Sequence, residues 1–146
     1  MEYLIIDTET TTYSKGNPYS QQNKLCLVGI RDPEGNNLIY DVEYSSFGYA
    51  KVLERIQQKI NDTKTLVLFN AKFDLAWLRR YGINFHHCRI FDCQLFHFIN
   101  TGQLYPFPSL NQVAEYYNLE QKLDIIKEEY WDKEIDTIDI PLYILT

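Results

Sequence analysis

Three acids stand where a carboxylate has little structural use. Asp7 and Glu9 lie at the end of an apolar run, in Leu4-Ile5-Ile6-Asp7-Thr8-Glu9-Thr10. Residues two apart in an extended chain point the same way, which puts the two carboxylates on one side, about 6–7 Å apart at Cα. Adjacent carboxylates raise one another's pKa unless a cation sits between them. Magnesium suits the pair, because it takes hard oxygen ligands, few of them from protein, with water or phosphate in its remaining positions. Taken alone, Asp-x-Glu is equally consistent with a strand that ends in solvent. The third acid is Asp74, in Phe69-Asn70-Ala71-Lys72-Phe73-Asp74, which follows an apolar strand and opens a helix. The helix dipole favours an acid in that turn. Phe73, Trp77 and Leu78 mark the buried side of the helix, so Asp74 is expected at the margin between core and solvent. That margin lies at the C-terminal end of a sheet strand, where ligand sites in α/β sheets are commonly found.

The elements that must position these acids can be read from periodicity. Residues 2–6, 24–30, 38–42, 65–69 and 89–91 read as strands. The second and third flank the turn-rich segment Arg31-Asp32-Pro33-Glu34-Gly35-Asn36-Asn37 and form a hairpin. The fully apolar run at 65–69 suits a sheet covered on both sides. Val52, Leu53, Ile56 and Ile60 fall on one face of a helix over 47–60. Further helices are expected over 71–81, with Asn70 as N-cap and Gly82 just beyond the end, over 93–99, and over 110–117 with Ser109 as cap. Another is expected near 121–130. Residues 11–23 and 101–108 are rich in turn residues and read as loops. The order gives an α/β fold in one domain over 1–146, with a mixed, mainly five-stranded sheet flanked by helices and its first three strands antiparallel.

Composition bounds the partners. The chain has 146 residues, enough for one compact domain with a real core. Its net charge is −6, which argues weakly against a broad grip on nucleic acid. The middle of the chain is nevertheless basic: residues 51–114 carry eight Lys/Arg against four Asp/Glu. Lys72, Arg79, Arg80 and Arg89 are candidates for meeting a phosphate backbone, with solvated helix charges the equal alternative. Cys26, Cys88 and Cys93 match no zinc spacing and read as reduced thiols of a cytoplasmic protein, in host cytoplasm if the source is viral. No segment has the length of a membrane span, and the start is not a signal peptide.

Asp-x-Glu on the first strand, followed by Asn70-Ala71-Lys72-Phe73-Asp74 opening a helix, resembles the first two motifs of the DEDD (DnaQ-like) 3'–5' exonuclease superfamily. The stretch is most similar to the proofreading exonuclease domain of bacteriophage family A DNA polymerases. Phe91-Asp92-Cys93-Gln94-Leu95 and Ser109-Leu110-Asn111-Gln112-Val113-Ala114 extend the likeness over most of the chain. The resemblance implies a ribonuclease H-like fold and hydrolysis of DNA from its 3' end with two Mg2+ or Mn2+ ions. It assigns Asp7 to both metals, Glu9 to the metal that activates water, and Asp74 to the second metal. Thr10 and Asn70 would contact the terminal nucleotide. The implied partner is a single-stranded DNA 3' end, with RNA possible, and a polymerase domain or replication protein is a possible companion.

The family's third motif, Tyr-x-x-x-Asp or His-x-x-x-x-Asp, has no satisfactory match. His87 and Asp92 have the histidine spacing but stand too close behind Asp74, and Tyr116–Glu120 and Tyr130–Glu134 offer only glutamate. Asp136-Thr137-Ile138-Asp139-Ile140-Pro141 resembles the approach to that motif, which would begin just after Thr146. Asp132, Asp136 and Asp139 are candidate substitutes, with a surface charge the stronger reading of each. The expectation is an exonuclease domain lacking its C-terminal helix and weak or inactive as this chain. The alternative is a non-catalytic module that binds nucleic acid or protein on the same fold.

Overall fold

A computed structural model describes residues 1–45, 48–103 and 107–120. Its centre is a five-stranded sheet in the order β3-β2-β1-β4-β5. The strands are β1 (Tyr3–Thr10), β2 (Leu25–Arg31), β3 (Asn37–Asp41), β4 (Thr65–Leu68) and β5 (Arg89–Asp92). β1 pairs antiparallel with β2 and β2 with β3, while β4 lies parallel to β1 and β5 parallel to β4. The mixed sheet, with its first three strands antiparallel and helices alongside, is the one expected for a ribonuclease H-like fold. The helices are α1 (Tyr49–Asn61), α2 (Ala71–Arg80), α3 (Cys93–Asn100) and α4 (Leu110–Tyr116). The helix expected near 121–130 and the acids Asp132, Asp136 and Asp139 lie outside the described residues.

β1 runs four residues beyond its expected end, to Thr10. Hydrophobicity falls away after Ile6, but β2 supplies backbone partners as far as Thr10, which pairs with Leu25. Asp7 and Glu9 therefore lie within a strand rather than past its end. The register shifts between Glu9 and Thr10, an irregularity of the kind that bends a strand and re-aims its side chains. Alternation along β1 is strict: Leu4, Ile6, Thr8 and Thr10 are buried, while Tyr3, Ile5 and Asp7 are exposed.

The buried side of the sheet meets Ile56 and Ile60 of α1 and Trp77 and Leu78 of α2 in one core with Leu4, Ile6, Val28, Leu66 and Leu68. Trp77 has no exposed surface, and its indole Nε1 donates to the carbonyl of Gly16 at 3.1 Å. That bond ties the loop after β1 to α2. The loop turns through a short 3-10 segment (Tyr13–Gly16) in which Ser14, Lys15 and Gly16 all have positive φ. A Cβ at Gly16 would stand 3.0 Å from Thr10 Oγ1 and 3.2 Å from the Phe73 ring, so glycine is required there for both space and conformation.

Trp77→Phe keeps an aromatic ring but deprives the Gly16 carbonyl of its donor, and is expected to lower the unfolding free energy by about 1–2 kcal/mol. Trp77→Ala, which also empties the site, is expected to cost about 3–5 kcal/mol. Urea denaturation of both variants checks the order.

Candidate active site

Asp74 projects from the first turn of α2 and is 3% exposed, well inside the margin expected for it. Its burial has a cause in β1. Thr8, between Asp7 and Glu9, points to the core face, and its hydroxyl donates to Asp74 Oδ1 at 2.6 Å while its backbone N–H donates to the same oxygen at 3.1 Å. A side chain that looks like a spacer in Asp-x-Glu is thus the anchor of the third acid. The alternation of the strand was the signal for it, because it sends residue 8 opposite to residues 7 and 9.

Burial pushes the Asp74 carboxyl up to about 7 from an ordinary 3.8. The bonds from Thr8 hold it down in part, and the nearby Asp7 charge pushes it up again. A buried carboxyl raised by desolvation and by a second carboxylate is a group whose ionised form a divalent cation would stabilise, so the donor chemistry fits such an ion. Among the described residues, however, no group of three or more His, Cys, Asp and Glu converges as a ready-made metal cage.

Asn70 is not the cap it was expected to be. It lies just before α2 in the left-handed region (φ 61°, ψ 54°) and makes no side-chain cap bond. The cap comes from the far end of β5. Asp92 Oδ2 accepts from the Ala71 N–H at 2.8 Å and its Oδ1 from the Asn70 N–H at 3.2 Å. Asp92 Oδ1 also accepts from Gln94 N and Leu95 N, capping α3. An aspartate directly before a helix is a local signal for capping α3, but none reveals its reach to a helix 21 residues earlier in the chain. Thr10 is buried, and its hydroxyl donates to the carbonyl of Thr11 at 3.2 Å.

The other candidates are held elsewhere. Arg80 donates to the carbonyls of Pro18 and Ser20 and lies over the Trp77 ring, so it braces the loop. Arg79 lies over Phe85. His87 Nε2 approaches the Ile60 carbonyl at 3.0 Å and the Cys88 sulfur at 3.4 Å.

A family model described as 3'-5' exonuclease, of the DNA polymerase A type, matches residues 1–141. The fold is similar to a family B DNA polymerase from the archaeon Pyrobaculum calidifontis, at a TM-score of 0.58 and 12% identity over 82% of this chain and 18% of that one. A structure described as the apo form of the nuclease has a TM-score of 0.62 and 14% identity, covering 91% of this chain and 59% of that one. NrnC of Brucella melitensis with bound Mg2+ has a TM-score of 0.59 and 19% identity over 84% and 57%. The same protein bound to pGG gives 0.58 and 18% over 84% and 55%. The chain therefore spans less than two thirds of each of these proteins. No curated protein matches the chain significantly. Among the described residues, no helix is long and apolar enough to cross a membrane.

The raised carboxyl sets a direction for stability. Between about pH 4 and 7 the folded chain holds a proton on Asp74 that the unfolded chain has released. Its contribution is fully present below about pH 4 and is lost as pH rises through about 7. In metal-free buffer the native protein is expected to lose stability relative to Asp74→Asn across that window. Urea titrations at several pH values test this, and parallel curves would contradict it. Thr8→Val removes the hydroxyl donor, so Asp74 is expected to titrate higher still, as read by carbon-13 NMR of its carboxyl.

Proposed function

We propose that this chain, which belongs to the 3'–5' exonuclease family, is a proofreading-type domain that removes nucleotides from the 3' end of single-stranded DNA. The observation that carries the proposal is geometric: Thr8, which stands between Asp7 and Glu9, donates two hydrogen bonds to the buried carboxyl of Asp74 and so ties that acid to the acidic strand. Asp7 and Glu9 would present oxygen ligands from one face of β1. Asp74, fixed by Thr8, would add a third from α2. Two divalent ions, Mg2+ or Mn2+, would supply the activated water and the stabilised leaving oxygen. Thr10, beside Glu9, and Asn70, one helical turn before Asp74, are the proposed contacts to the terminal nucleotide. The left-handed backbone at Asn70 supports this, since strained non-glycine residues concentrate at functional sites. Similarity to a polymerase and to an NrnC structure bound to pGG supports a nucleic-acid substrate, with RNA as the alternative to DNA.

A second reading is a non-catalytic binding module on the same fold. It is favoured by the lack, among the described residues, of a metal-holding group of three or more His, Cys, Asp and Glu. Release of 3' nucleotides from labelled single strands in Mn2+ separates the two readings. The enzyme reading expects release that falls by about 100-fold or more in Asp7→Ala and in Asp74→Asn. No release by the native chain, with strand binding intact, would establish the module instead. Calorimetric titration with Mn2+ is expected to show binding weakened in both variants.

A further inference from the structure

Asp92 takes no part in the chemistry proposed above, yet one carboxylate serves the N-termini of two helices. It accepts from Asn70 N and Ala71 N at the start of α2 and from Gln94 N and Leu95 N at the start of α3. The two oxygens divide the work: Oδ2 takes Ala71, and Oδ1 takes the other three. Four backbone donors that their helices leave unpaired are satisfied at once, and the positive ends of two helix dipoles converge on one negative charge. Asp92 shares a ladder position with Leu68, the last residue of β4. It therefore bridges β5 to the two-residue junction, Phe69-Asn70, between β4 and α2. Asp74 lies in the first turn after that junction.

We infer that Asp92 is a positioning residue for the candidate site: by capping α2 from β5, it fixes the turn that holds Asp74 against Thr8, and it relieves Asn70 of the capping role. Its action runs through backbone amides, without contact to substrate or metal. The cap that Asn70 would otherwise supply is already filled, which permits the left-handed backbone at residue 70. The part concerning metal rests on the function proposed above; the part concerning the Asp74–Thr8 contact does not.

Asp92→Ser separates the two caps. A serine at the N-cap still reaches Gln94 and Leu95. It is too short to reach Ala71, so only α2 loses its cap. Asp92→Asn is the second variant, retaining one oxygen for α3 and turning an N–H2 toward the Ala71 N–H. Ser109→Ala, which removes the capping-box side chain of α4, is the matched control for general destabilisation. The first readout is metal-free: hydrogen exchange of the Thr8 amide, whose acceptor is Asp74. Asp92→Ser, or Asp92→Asn if the serine variant does not fold, is expected to speed this exchange relative to the Ser109→Ala protein. Exchange no faster than in that control would overturn the inference.

The second readout is Mn2+ affinity by calorimetry, expected to fall on the order of tenfold in Asp92→Ser, as when outer supports of a metal site are lost, and to be unchanged in Ser109→Ala. Native-like affinity in Asp92→Ser, alongside weakened affinity in Asp74→Asn, would also overturn the inference. If the native chain binds no Mn2+, the metal reading fails by itself, and the Thr8 amide alone decides the role of Asp92.

Discussion

The contact between Asp74 and Thr8 governs the rest of the site. A carboxyl that is 3% exposed needs partners, and it draws two donors from one residue of β1. Because Thr8 sits between Asp7 and Glu9, the residue that secures Asp74 of α2 is the same one that separates the acid pair on β1. This requires β1 to be interior to the sheet, with the β2–β3 hairpin on one side and β4 leading into α2 on the other. The antiparallel half extends β1 through the acidic motif, and the parallel half delivers the helix.

Around that contact, the supports come from distant parts of the chain. Trp77 and Arg80 hold the loop after β1 through the carbonyls of Gly16, Pro18 and Ser20. Asn23, with no exposed surface, braces the same loop from within by donating to the carbonyls of Tyr13 and Asn17 and accepting from the Thr11 hydroxyl. Three successive residues of positive φ are sustained there, two of them not glycine. Such conformations persist only when their surroundings over-determine them.

Local patterns sufficed where the cause was local. The strand at the apolar run of β1, the face Ile56–Ile60 of α1, the Ser109 cap and the glycine after α2 all have short-range causes, and the structure agrees with each. The strand beyond Ile6 was not legible, because its continuation depends on backbone partners in β2 rather than on its own hydrophobicity. Asn70 misled for a related reason. Its type and place suit a cap, but Asp92, 22 residues on, occupies the role. The depth of Asp74 was likewise hidden in Thr8, 66 residues away. For the candidate site, the sequence singled out Asp74 as an acid on α2 but not Thr8, which holds it.

The pairing of β1 with β4 joins residues about sixty apart: Tyr3 with Thr65, Leu4 with Leu66 and Ile5 with Val67. The β2–β3 hairpin closes over a short turn and can form early, whereas this ladder must close a long loop before it yields a contact. During synthesis from the N-terminus, β1 is released well before its parallel neighbour exists. The acids of Asp7-Thr8-Glu9 therefore leave the ribosome before Asp74 and its helix, and the contact of Asp74 with Thr8 has to wait for them. Until then β1 lacks its β4 neighbour, and two carboxylates at its end make that bare edge a poorer template for another chain.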